Sequence, residues 1–99
     1  MSNHTLKNLK LKKVEWETSD GVIIGLRFTL NDGSASNIVG SKPYLSHSAD
    51  FPDDRETRAV MINRSNKYVY SILFLDAMDE NILEINSKGR GKWSLYRLL

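Results

Sequence analysis

The stretches "VIIGLRFTLNDGS" (residues 22–34) and "YVYSILFLDAMDE" (68–80) decide the fold. In the first, Val22, Ile24, Leu26, Phe28 and Leu30 recur at every second position, with Gly25, Arg27 and Thr29 between them and Ile23 breaking the polar side. A period of two sends successive side chains to opposite faces of a strand, and β-branched and aromatic residues suit a pleated, half-buried surface better than a helix. "NDG" then supplies residues that tolerate the positive φ of a hairpin turn. In the second stretch Tyr68, Tyr70, Ile72 and Phe74 share one face while Val69, Leu73 and Leu75 share the other, which predicts a strand covered on both sides. "DAMDEN" reads as a turn and "ILEI" as a short strand.

Working outward, Leu9 and Leu11 are followed by a phase slip across Lys12 and Lys13, then by Val14 and Trp16, the pattern of a strand with a bulge. "SDG" turns it into the first long strand, and a short strand is expected around Asn37–Val39. Residues 40–56, "GSKPYLSHSADFPDDRE", hold both prolines among serines and aspartates and read as one long loop. "RAVMIN" places Val60 and Ile62 on one face, and "KWSLYRLL" alternates Trp93, Leu95 and Leu99 against Ser94, Tyr96 and Leu98. No segment carries a helical pattern.

Sliding the second half back onto the first pairs Val60 with Val14, Ile62 with Trp16, Tyr68 with Val22, Tyr70 with Ile24, Ser71 with Gly25, Ile72 with Leu26 and Phe74 with Phe28. A repeated supersecondary unit buries against its sister the face that it cannot bury alone. The expected architecture is therefore all-β: a Greek-key β-prism-like fold or β-sandwich built from two sequence repeats, with "KWSLYRLL" as the stub of an incomplete third sheet. The divisions are a flexible segment over 1–8 and one domain over 9–99. Within the domain, copy one spans about 9–41, a loop 42–56, copy two about 57–87, and the C-terminal strand 92–99.

"GVIIGLRFTLNDGSASNIVGS" and "RAVMINRSNKYVYSILFLDAMDENILEI" resemble two successive repeats of a jacalin-like lectin domain, a family that folds as a β-prism of three Greek-key sheets. The resemblance implies sugar binding through an aspartate-bearing loop and a glycine-rich start. Here the matching positions hold Ile24, Tyr70, and Ser94 or Leu95, and no glycine-rich start exists, so no family site residue carries over.

Ninety-nine residues with 40% apolar and 26% charged side chains bound the chain to one small domain with a modest core, for which association with a partner would add stability. The net charge is +2 and the pI about 9.0, a weak bias toward acidic partners. Without cysteine, no disulfide framework or thiolate metal site holds the fold. The opening "MSNHTLKNLKLKKVEW" has no uninterrupted apolar run, so a soluble, cytoplasmic protein with no membrane insertion is expected. The glycosylation triplets at Asn3 and Asn63 point weakly the other way.

The chemistry-bearing residues exclude more than they propose. His4 and His47 stand apart with no metal or triad spacing, no phosphate-cradling loop or nucleophile elbow occurs, and neither Asp50–Glu56 nor "DAMDENILEI" matches a calcium loop. No enzyme activity and no cofactor are expected. Lys10 and Lys12 alternate with Leu9 and Leu11 as on a protected edge strand, and no arginine–aromatic interleaving suggests nucleic acid. The expected function is a non-enzymatic β-rich module for protein–protein interaction or assembly, its partner another protein or a second copy. Its interface strands would carry Lys10, Lys12, Trp16 and Leu95. The alternative is a carbohydrate-binding lectin domain, with Trp93, Tyr68 and Tyr96 as stacking faces and Asn66, Lys67 and Arg90 as hydrogen-bonding neighbours.

Overall fold

The computed structural model describes residues 10–36, 45–86 and 90–98, and these form two antiparallel sheets with no helix. The strands are β1 (Leu11–Ser19), β2 (Val22–Leu30), β3 (His47–Asp50), β4 (Ala59–Arg64), β5 (Val69–Leu75), β6 (Asn81–Ile85) and β7 (Lys92–Arg97). The first sheet has the order β2-β1-β3, and the second has the order β6-β5-β4-β7. Each half of the chain thus builds its own sheet, and the two stack face to face as in a β-sandwich.

The sandwich closes because each sheet has one apolar face to hide. Val14, Phe51, Ile72, Phe74 and Ile85 form the buried cluster, with Leu26, Phe28, Val60, Ile62 and Leu83 packed around it. Phe74 is the focus: Phe51 meets it edge-on at 5.0 Å and Phe28 at 6.0 Å. Burying a ring of that size is worth roughly 1.5–3 kcal/mol.

The two long hairpins share one register. Val14 pairs with Phe28 and Trp16 with Leu26; Val60 pairs with Phe74 and Ile62 with Ile72. Both ladders also slip at the matching place, between Glu17 and Thr18 in the first and between Asn63 and Arg64 in the second. Each slip gives the second strand of the hairpin an extra residue, Ile24 in β2 and Tyr70 in β5.

Those bulges correct the expected facing. Strict alternation put Ile24 and Tyr70 with the core; past the bulge, Ile23 and Val69 pack against it instead. The extra residue shifts the pleat by one, which exchanges the faces of everything beyond it.

Three further expectations change. The expected loop over 42–56 contains β3, whose residues His47–Asp50 pair with Lys13–Trp16 of β1. Pro52 lies beyond it and leaves its ladder donors intact. β1 is consequently central, bonded by β2 on one side and β3 on the other, so Lys10 and Lys12 do not guard a free edge. The segment "KWSLYR" starts no third sheet; as β7 it extends the second sheet by pairing with β4. The strand expected at Asn37–Val39 and the flexible segment 1–8 lie outside the described residues.

Candidate functional site

Two features converge where β1 turns into β2, β4 turns into β5, and the chain enters β7. The first is a cleft of about 500 Å³ lined by Ser19, Asp20, Val22, Ile24, Tyr68, Tyr70 and Arg90. Its apolar walls flank the two bulges: Val22 and Ile24 from β2, with Tyr68 just before β5 and Tyr70 within it. Asp20 and Gly21 reach the turn with φ of 54° and 79°, and glycine adopts that conformation without penalty. Asn86, itself at φ 52°, donates its side-chain N–H groups to the carbonyls of Gly21 (3.0 Å) and Tyr70 (2.6 Å), tying the two hairpins together at the cleft.

Arg90 closes one wall. Its guanidinium lies 5.1 Å from the Tyr70 ring centroid and donates to the Asp20 carbonyl at 3.0 Å. A guanidinium carries more donors than this bond uses, so the cleft sets cationic donors and aromatic faces beside the acidic residue Asp20 within one small space.

The second feature is β7 itself. Leu98 donates its N–H to the Arg58 carbonyl. By the alternation of an antiparallel ladder, the backbone groups of Trp93, Leu95 and Arg97 then point away from β4. Among the described residues no strand takes them up. The side chains along this edge are large and apolar, with Trp93 43% exposed, Leu95 47%, Tyr96 42% and Leu98 42%. Trp93 and Leu95 lie in rows with Asn63 and Met61 on the outer face, whereas Tyr96 lies in a row with Val60 on the face that carries the core.

The entry to β7 is fixed by a buried side chain. Asn63, 2% exposed, accepts the Gly91 N–H at 2.7 Å and donates to the Gly91 carbonyl at 3.4 Å. A Cβ on Gly91 would collide with the Arg64 carbonyl, so this close approach requires glycine. The triplet at Asn63 thus presents a buried amide engaged in packing rather than an accessible acceptor.

At the opposite end of the sheet, carboxylates hold the turns. Asp76 accepts the N–H groups of Glu80 and Met78, both at 2.9 Å, and the Arg55 guanidinium at 2.8 Å; these bonds hold its pKa below the ordinary carboxylate value. Asp79 takes a two-point contact from Arg97 at 3.1 Å, which lowers the aspartate and raises the arginine. Arg97, Ala59 and Leu75 share one row of the outer face, so this contact spans the end where Ala59 and Leu75 are buried.

The expected site residues separate into three places. Tyr68 and Arg90 meet in the cleft, with Asn66 and Lys67 exposed on the adjoining turn; Trp93 and Leu95 stand on the outer face of β7, and Tyr96 on its inner face. Trp16 packs against the core and stacks on His47 at 5.5 Å. The Lys10 ammonium donates to the Asp53 carbonyl at 3.0 Å, and Glu56 faces Arg58 at 3.8 Å. Among the described residues no three histidine, aspartate or glutamate side chains are placed to hold a metal ion, and no helix is long and apolar enough to cross a membrane.

Ile24, Tyr70 and Asp20 were missed as site residues. Their signal was present: "VII" and "YVY" each set three apolar residues in a row where alternation demands a polar one. A break of that kind marks a bulge, and bulges concentrate beside binding sites. Comparison with known proteins gave no match to any family model, curated protein or solved structure.

Proposed function

We propose that the chain is a non-enzymatic binding and assembly module that takes another polypeptide as an added strand along β7. The observation that carries this is the edge of β7, whose backbone groups at Trp93, Leu95 and Arg97 meet no strand among the described residues and are flanked by exposed apolar side chains. Natural sheets blunt such edges with inward charges, proline or a bulge. β7 has none of these over its central residues, and strand addition is how exposed edges of this kind are used. A photoreactive side chain at Leu95 tests it. Crosslinking to another protein is expected at Leu95 and not at Glu84, which shares its row on the opposite edge strand; equal labelling at both positions would sink the reading.

The matched registers and bulges of the two hairpins support a further reading of the chain as a duplicated Greek-key unit of jacalin-like type. They also favour the second functional reading, carbohydrate binding, because Tyr68 and Arg90 share the cleft with Asp20. An aromatic face, a charged donor and a carboxylate acceptor suit a pyranose ring. Sugar binding on a glycan panel that is lost in both Tyr68→Ala and Arg90→Ala would establish it; no binding to any glycan would remove it.

A further inference from the structure

The charge around β7 is uneven, and the unevenness selects a partner. Arg64 pairs directly with Lys92 across the β4–β7 ladder, Arg90 precedes β7 by two residues, and Lys67 lies in the turn that follows Arg64. Among the described residues none of these four cations has a carboxylate partner, while Arg97 at the other end of the strand is already engaged by Asp79. The edge is therefore apolar in the middle, basic at its entry and neutralised at its exit.

We infer that the segment joining β7 is an extended acidic peptide, with apolar side chains opposite Trp93 and Leu95 and carboxylates clustered at the end that meets Arg64, Lys67, Arg90 and Lys92. This rests on the strand-addition reading above. Backbone bonds to the odd-numbered residues supply affinity without sequence preference, and apolar cross-strand neighbours add to it. The cations then fix direction, since a segment laid the other way would place its acids beside Asp79. A second copy is the poorer occupant. Two β7 strands laid antiparallel would bring the Lys92 end of one to the Arg97 end of the other, where Asp79 is already engaged by Arg97, so neither copy supplies a free carboxylate to the four cations.

The test uses the full chain and three labelled ten-residue peptides read by fluorescence anisotropy. One has an alternating valine–threonine core with glutamates at one end, the second has lysines in place of the glutamates, and the third has the glutamates and a central proline. The glutamate peptide is expected to bind at least about tenfold more tightly than the lysine peptide, and the difference should shrink as salt rises. The proline peptide, lacking a ladder donor, should not bind. The exposed pair Arg64→Glu and Lys92→Glu should reverse the preference while leaving the unfolding midpoint unchanged. Equal binding of the glutamate and lysine peptides would overturn the acidic partner yet leave strand addition standing. Undiminished binding of the proline peptide would overturn strand addition itself. Failure of all three peptides, with or without a dimer that Leu95→Lys dissolves, would overturn the inference.

Discussion

Phe28 of β2 and Phe74 of β5 meet edge to face across the sandwich, ring centroids 6.0 Å apart and planes at 80°. They are also one another's counterparts in the two hairpins, opposite Val14 and Val60 respectively. The contact joins matching register positions of the two hairpins, so each sheet supplies the surface that the other needs.

Removing Phe74, which is fully buried, should therefore cost more than removing Phe28, which is not. Phe74→Ala is expected to lower stability by about 3–5 kcal/mol in urea unfolding. Phe28→Ala should cost less. A double-mutant cycle should leave a coupling of about 0.5–1.5 kcal/mol, the range for an edge-to-face pair. Strict additivity would show that the rings fill space without interacting.

The Asn63–Gly91 clamp sets where β7 begins. Asn63→Ala removes a buried amide that satisfies both backbone groups of Gly91 and is expected to destabilise by about 1–3 kcal/mol. Gly91→Ala drives a methyl into the Arg64 carbonyl, so the entry to β7 must shift. Amide exchange should then accelerate at Ser94 and Tyr96, which are bonded to β4. An unchanged exchange pattern in Gly91→Ala would show that β7 is held by its ladder alone.

Acid should loosen the turn after β5. Asp76, Asp79, Asp32 and Glu17 all have pKa values lowered in the fold, by Glu80, Arg97, Ser34 and Ser46 respectively as the leading partners. A carboxyl depressed on folding contributes stability that is present above its unfolded pKa and lost as pH falls through its folded pKa. With ordinary values of 3.8 for aspartate and 4.5 for glutamate, these groups hold stability level from neutral pH down to that range, and it then declines. Asp76→Asn should lower the urea midpoint at neutral pH and flatten the acid limb. A parallel acid limb in the variant would mean that Asp76 does not contribute to it.

The all-β character and the long strands were legible in the sequence. The period-two runs at 22–30 and 68–75 gave the long strands, and Asp-Gly and Asn-Asp-Gly gave the turns on either side of the first, because these signals are local. β3 was hidden because "HSAD" has little strand preference of its own; it is ordered by hydrogen bonds to β1, a partner remote in sequence. The edge position of β7 was equally invisible, since pairing order is set by packing between strands remote in sequence. The cleft was half legible: Tyr68 and Arg90 were read as candidates, but their company with Ile24, Tyr70 and Asp20 required the two bulges to be placed together.

Charging the outer side of β7 should separate folding from association. Trp93→Lys with Leu95→Lys replaces two exposed side chains on the outer face and is expected to change stability by no more than about 1 kcal/mol. Peptide binding at the edge should be lost, with the apparent mass by light scattering unchanged. Unfolding of the double variant at ambient temperature would place those side chains in the core instead.

β4 lies between two partners reached on different timescales. Its hairpin with β5 closes across a short turn, but β7 arrives only after the chain has traversed β5 and β6. Until then Ala59 and Asn63, both buried in the finished molecule, lack the neighbours that Arg97 and Trp93 supply, and β4 presents an open edge of its own. A chain interrupted before residue 92 would therefore be sticky along a different strand from the mature one, which makes the final ladder a checkpoint between productive maturation and aggregation.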